Sequence, residues 1–535
     1  MLFTSLAFFI FLAVTLILFY LLPKRFQWIV LLVASFVFYI SFSWKFLFFI
    51  ISTIVTIYGA TYGIDKINKQ QEKFLEENEL TLEQKKEYKA KNKKKKKLFV
   101  TLCILFNIGI LFVLKYANFA IFTFQGIMSW FGVKLSPVTL NLILPLGISF
   151  YTFQAVGYLV DVYWGKVPFE KNIFKLALFT SFFPQILQGP ISRYSELAPQ
   201  LIEEKKFDYE KIVRGVILIL WGLLKKIVIA DVFGGIVTNG FEKVAQLNGL
   251  QSWATIIAYL IQDYTDFSGC IDIAMGVAEC FGIGLPQNFE RPYFSLTIEE
   301  YWRRWHMSLG SWFKDYVFYP ISISKFSINL GKFCKKHFKK NSYIAKQIPA
   351  FFGLIVVWST TGLWHGASWN YVLWGLYYGL LIIMSILLKP LFAKIIEKTK
   401  INAKSWWYKI FQWVRTMWLL CVGRIIFRSN SLVDAWTLFT KTFSNIFKCS
   451  VLSLDSLVSE KKFLIVAAIA LLLVLIVDLI KEFKKGVSLR DEMAKKGAWG
   501  YVIQTLTIIG LITVIVLFGS YGPGFAAQDF IYMQF

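Results

Sequence analysis

Twelve apolar runs recur along the chain, at 3–22, 27–43, 44–64, 98–115, 140–162, 212–229, 254–283, 347–363, 369–391, 409–428, 462–480 and 500–520. A helix needs roughly 17–25 apolar residues to cross the hydrocarbon core of a bilayer. No water satisfies backbone N–H and C=O groups inside that layer, so runs of this length cross it as helices. The expected fold is an all-α polytopic membrane protein with about 11–12 transmembrane helices. Shorter or Gly/Pro-interrupted apolar pieces at 119–131, 172–190 and 308–323 read as re-entrant or interfacial. A hydrophobic content of 56% and a mean hydropathy of +0.56 favour one membrane domain over residues 1–535 rather than several soluble ones. Residues 2–22 have neither a basic leader nor a small-residue cleavage site, which reads as a retained helix rather than a signal peptide.

The formal net charge of +25 would point to nucleic acid in a soluble protein. Here the cations fall between apolar runs, as cytoplasmic loops require, so no nucleic-acid partner is expected. Segment 66–97 carries twelve lysines against six glutamates and ends in Lys93 to Lys97. It reads as a solvated cytoplasmic helix that sets topology, with membrane lipids as neighbours. Basic loops at 325–346, 394–409 and 481–496 join it in the cytosol, which leaves both termini outside. The six cysteines (103, 270, 280, 334, 421 and 449) are scattered, with no C-x-x-C pair, and indicate neither a disulfide framework nor a metal site.

Against this background two of the three histidines are conspicuous. Thr361-Gly362-Leu363-Trp364-His365-Gly366-Ala367-Ser368-Trp369 puts an imidazole in an apolar stretch, with small residues and tryptophans beside it. Removing an ionisable group from water costs several kcal/mol, so an intramembrane histidine marks a functional site. The second lies in Glu299-Glu300-Tyr301-Trp302-Arg303-Arg304-Trp305-His306-Met307-Ser308. At helical spacing Trp302 and His306 share a face, as do Arg303 and Met307. Arginines beside tryptophans hold phosphate or carboxylate through paired hydrogen bonds and stacking, or snorkel to lipid headgroups. His337, among Lys335, Lys336, Lys339 and Lys340, reads as solvated and uninvolved.

Upstream, Asp263, Asp266 and Asp272 place three carboxylates on roughly one face of an apolar helix. They are suited to orienting a histidine, binding a cation or satisfying helix termini. Asn288-Phe289-Glu290-Arg291-Pro292-Tyr293 forms a polar turn that leads to the His306 patch.

Three stretches together resemble the membrane-bound O-acyltransferase family: 266–321, PLGISFYTFQAVGYLVDVYWG and TGLWHGASWNYVLWG. The likeness is greatest to its alginate O-acetylase and peptidoglycan O-acetyltransferase branch. It runs over most of the chain, and the pairing of W-R-R-W-H with a later L-W-H-G is more specific than either motif alone. The resemblance implies a ring of helices around a tunnel, with His365 as the catalytic histidine and His306 as the second functional one. One departure is Tyr378, in Trp374-Gly375-Leu376-Tyr377-Tyr378-Gly379, where many alginate-branch sequences have histidine. A phenol titrates near 10 and is no neutral-pH base. The C-terminal Phe530-Ile531-Tyr532-Met533-Gln534-Phe535 resembles the aromatic ending of this branch and makes Tyr532 a candidate relay hydroxyl.

The resemblance implies acyl transfer from a cytosolic thioester, acetyl-coenzyme A, as donor substrate, with no bound cofactor and no metal. Candidate substrate- and donor-binding residues are Arg303, Arg304, Trp305, Asn288, Arg291, Asp266, Trp364 and Ser308. The implied partners are an extracytoplasmic SGNH-hydrolase-like acetyl carrier and, beyond it, a surface polysaccharide resembling alginate, peptidoglycan or cellulose. The implied location is the bacterial cytoplasmic membrane. Two alternatives are D-alanyl transfer to teichoic acid and a proton-coupled polysaccharide transporter that uses the three aspartates. No internal inverted repeat supports a transporter.

Overall fold

The computed structural model describes residues 1–338, 343–444, 457, 461–484 and 497–521. Its described residues are helical and contain no named strand; a single isolated bridge pairs Phe289 with Trp305. Seven helices among them are long and apolar enough to cross a membrane: Trp44–Glu77, Leu82–Trp130, Tyr343–His365, Trp369–Thr399, Trp406–Arg428, Lys461–Phe483 and Trp499–Phe518. These helices fit the expected polytopic, all-helical membrane protein.

The other five apolar runs also meet helices, although the run at 140–162 is helical only from Ile148, and there are visible reasons for missing that standard. The first three are short: α1 (Leu6–Leu21) and α5 (Ile148–Tyr163) have 16 residues and α2 (Gln27–Ile40) has 14. The run at 212–229 starts in α8 (Tyr209–Leu223) and passes into a π-helical segment, Leu224–Ala230. The run at 254–283 lies in α10 (Gly249–Cys280), whose three aspartates and Glu279 spoil its apolarity. The expected re-entrant piece at 119–131 is not separate: it is almost wholly the end of one continuous helix, α4 (Leu82–Trp130). With no proline or cap to stop it, α4 simply continues past its apolar window.

Two compact units are present, one of Met1–Gly215 with Ala274–Pro286, the other of Val216–Ile273 with Gln287–Phe535. In the first, α3 (Leu47–Glu77) and α4 form an antiparallel pair whose polar ends are the segment expected as a basic loop. Its turn is a capping box: Gln84 N–H donates to the Thr81 hydroxyl, and Thr81 N–H donates to the Gln84 side-chain Oε1. Phe74 stacks on Tyr88 at 4.2 Å, and Lys96 Nζ donates to Asn68 Oδ1. The pair is thus packed inward while most of its lysines are exposed.

In the second unit, α15 (Tyr343–His365) and α16 (Trp369–Thr399) form a hairpin joined by three residues. Their backbones touch because both faces carry glycine. A Cβ on Gly375 would lie 2.2 Å from the Trp358 carbonyl oxygen, and one on Gly362 would lie 2.3 Å from that of Tyr371. This close approach fixes His365, the last residue of α15, against α16. The outward faces of the apolar helices remain exposed, for example Leu105 on α4 and Ile469 on α19 (Lys461–Phe483), as lipid-facing surfaces must.

Candidate functional site

The second unit holds both motif histidines. The W-R-R-W-H segment begins as α11 (Ile298–Arg304), where the Thr297 hydroxyl accepts the Glu300 N–H. The helix stops at Trp305, which is extended and bridges Phe289. Glu290 N–H donates to the Arg304 carbonyl and Met307 N–H to that of Asn288, so the polar turn at 288–293 is bonded to the patch. His306 has φ +46° and opens α12 (Met307–Phe313). A left-handed non-glycine residue costs about 1–3 kcal/mol and persists only where its surroundings hold it.

This break corrects the expected helical register. Trp302 and His306 do not share a face: Trp302 packs on Trp358, Trp374 and Tyr378, whereas His306 packs on Phe267 and Trp364. Arg303 and Met307 likewise belong to different helices. The physical reason is that the bridge to Phe289 satisfies backbone groups a continuous helix would have bonded internally.

His306 is buried, with its ring edge-on to Phe267 at 4.8 Å and 5.7 Å from Trp364. Its Nδ1 lies 3.2 Å from Asn288 Oδ1, which also accepts the Ser308 N–H at 3.0 Å and the Ser308 hydroxyl at 2.9 Å. His365 is also buried and is enclosed by Trp364 and Trp374, both at 4.8 Å, and Phe427 at 5.2 Å. The Trp364 indole therefore touches both imidazoles. Of the expected residues, the structure gathers His306, His365, Asn288, Ser308 and Trp364 into this one cluster.

The expected phosphate-binding arginines sit differently. Arg303 is exposed and paired with Glu299 one turn away. Arg304 pairs with Glu300 and Glu482, and Arg291 (φ +47°) pairs with Glu290 and the same Glu482. Trp305 is buried, stacked on Tyr301 at 5.6 Å and covered by the Arg424 guanidinium at 4.6 Å.

The three aspartates of α10 form ion pairs. Asp263 meets Arg424 of α17 (Trp406–Arg428), Asp266 meets Lys226, and Asp272 meets Lys225 at 2.7 Å. Lys226 also reaches Asp231 at 2.9 Å. Arg424 further donates to the Tyr301 hydroxyl at 2.7 Å. Tyr378 is buried, with its hydroxyl pressed on Gly423. His337 is exposed and stacks on Phe333. Tyr532 lies outside the described residues.

Arg424, Lys225 and Lys226 were not anticipated, although a charge inside an apolar run is itself a signal, because lipid tolerates it only when paired. Phe267, Trp374 and Phe427 carry no such mark in a chain this rich in aromatics.

His306 lies outside the seven spans, and burial pushes its pKa down from 6.5 to about 3. It therefore stays neutral in the fold between pH 5 and 8. In the unfolded chain it protonates below 6.5, so its burial leaves stability untouched above that pH and erodes it as pH falls towards 3. At pH 5 the cost is about 2 kcal/mol. The expected result is that thermal stability falls more between pH 7 and pH 5 in the wild type than in His306→Gln; equal losses would contradict it.

Sequence comparison adds to this geometry. The profile described as MBOAT, membrane-bound O-acyltransferase family, matches residues 170–433, a stretch that includes both histidines. The probable alginate O-acetylase AlgI of Azotobacter vinelandii is 31% identical, over 82% of this chain and 76% of its own length. A peptidoglycan O-acetyltransferase of Helicobacter pylori is 31% identical over 64% of this chain and 63% of its own. A teichoic acid D-alanyltransferase of Bacillus subtilis is 30% identical over 54% of this chain and 69% of its own. Two buried imidazoles that share one tryptophan in a polytopic helical protein, a profile match across them, and relatives named as acyl-transferring enzymes lead to one assignment: the chain belongs to the membrane-bound O-acyltransferase family and is an O-acyltransferase.

Proposed function

We propose that this chain is an O-acetyltransferase that moves an acetyl group from a cytosolic thioester, acetyl-coenzyme A, across the membrane towards a surface polysaccharide. The observation that carries the reading is the cluster in which Trp364 touches the rings of both His306 and His365.

In this reading His365 is the general base. It takes the proton of an attacking hydroxyl as the oxygen bonds to the thioester carbonyl carbon, and the thiolate that leaves is then protonated. General-base assistance is worth about 10²–10⁴ in rate, so positioning supplies much of the remainder. The aromatic walls around His365 keep water from the thioester. His306 contacts the reacting groups from the other side of Trp364, in either an orienting or an oxyanion-stabilising role. A tunnel joining the two membrane faces gives donor and acceptor their separate approaches. Arg303, Arg304 and Arg291 draw in the donor's phosphates; Arg304 and Arg291 would exchange their Glu482 contacts to do so.

Tyr532 is the proposed relay: its phenol oxygen accepts the acetyl group and passes it to an SGNH-hydrolase-like carrier outside the membrane, which modifies the polysaccharide. The alginate and peptidoglycan relatives support a glycan as final acceptor. The test uses the full chain in proteoliposomes with radiolabelled acetyl-coenzyme A. Wild type is expected to acquire label on its C-terminal peptide, and Tyr532→Phe to acquire none. Full labelling of that variant would place the relay elsewhere, and no acetyl consumption by wild type would refute the donor.

A further inference from the structure

We infer that Asn288 is a positioning residue that locks His306 in the Nδ1–H tautomer, so that Nε2 presents a lone pair and accepts a hydrogen bond from a substrate O–H or N–H. The inference rests on the reading that His306 belongs to the acyl-transfer site, and it chooses between the two roles left open there.

The argument starts from a backbone group. Ser308 N–H has only a hydrogen to offer, and it points at the Asn288 side-chain atom 3.0 Å away. That atom is therefore the amide oxygen and not the amide nitrogen, which also carries only hydrogens. The oxygen is an acceptor, so the His306 Nδ1 lying 3.2 Å from it must carry the ring proton. A neutral imidazole has one N–H, which leaves Nε2 with the lone pair.

Neutrality follows from the setting. His306 is 3% exposed, and Asn288 from the turn, Phe267 from α10 and Trp364 from α15, which pack against its ring, carry no charge. Asn288 is wholly buried, and its remaining amide nitrogen has no partner among the described residues. The left-handed backbone at His306 holds the ring at the end of these contacts. A neutral Nε2 of this kind has no hydrogen to give an oxyanion. It accepts a hydrogen bond from the substrate, either from an acceptor hydroxyl or from an amide N–H on the donor's arm.

Two measurements test this. In the full chain labelled with ¹⁵N-histidine in nanodiscs, His306 signals are assigned by their loss in His306→Gln. The expected spectrum shows Nδ1 protonated and Nε2 bare between pH 6 and 8; an Nε2–H tautomer would overturn the inference, whatever the enzyme's activity. The second uses Asn288→Asp, which keeps an acceptor for both Ser308 bonds and adds a negative charge beside Nδ1. That charge raises the pKa of His306 and puts a proton on Nε2 at a higher pH. Acetyl transfer by Asn288→Asp should fall roughly tenfold per pH unit below the new pKa, where wild type is flat. Transfer that holds or rises there would mean that His306 acts as a donor and would sink the proposal. If the variant fails to fold, the wild-type spectrum decides alone. A wild type with the expected tautomer but no acyl transfer would refute the proposed function and leave the tautomer assignment standing.

Discussion

His365→Ala is expected to lose acyl transfer by about 10²–10⁴ while the protein still folds. The imidazole is walled by Trp364, Trp374 and Phe427, and removing it takes away a proton acceptor that no neighbouring aromatic can replace. Truncation also leaves a void among those rings, which costs stability in its own right. His365→Gln is the necessary companion, because it fills most of the space and cannot serve as a base. Both variants should elute from size exclusion as wild type does, and both should fail in single-turnover transfer from labelled donor. If His365→Gln turned over within a few-fold of wild type, His365 would not be the base, and the aromatic enclosure would be only a packing feature. A loss confined to His365→Ala would carry the same message.

The second large effect concerns folding rather than chemistry. Arg424→Met is expected to destabilise the protein by about 3–5 kcal/mol, because it strands the Asp263 carboxylate inside the fold. Both side chains are almost completely buried and paired with each other, and Arg424 also holds the Tyr301 hydroxyl and covers Trp305. The cost is the unpaired charge, not the lost attraction. Replacing both partners, as Asp263→Leu with Arg424→Met, should therefore recover much of the loss. Thermal unfolding in one detergent, compared across the two single variants and the double variant, measures this. A double variant no more stable than Arg424→Met alone would show that the ion pair is not the source. Trp305 precedes His306, so Arg424→Met should also disturb the bridge to Phe289 and lower transfer in whatever protein remains folded.

The helices were legible because lipid leaves the backbone no alternative. Eleven of the twelve apolar runs lie almost wholly on helices, the run at 140–162 is helical only from Ile148, and the charges of α10, which is not among the seven spans, are written in its sequence. The two histidines were legible for the same reason, since few residues explain an imidazole beside tryptophans in an apolar stretch. The carboxylates of α10 were recognised as marked residues in an apolar helix, but not their partners. Arg424 lies 161 positions from Asp263 in sequence, and Lys225 and Lys226 belong to a π-helical turn that periodicity does not reveal.

The register of the His306 patch was misread because a local rule met a long-range bond. Counting at helical spacing puts Trp302 beside His306, but pairing of Trp305 with Phe289 ends the helix and turns His306 into left-handed backbone. Sequence alone therefore determined where helices form and which side chains are too costly in lipid to be accidental, because desolvation acts on each residue by itself. Only the tertiary structure decided that Trp364 would join two imidazoles and that Asn288 would hold one of them. Contacts between segments far apart in the chain depend on packing, and no local pattern records packing.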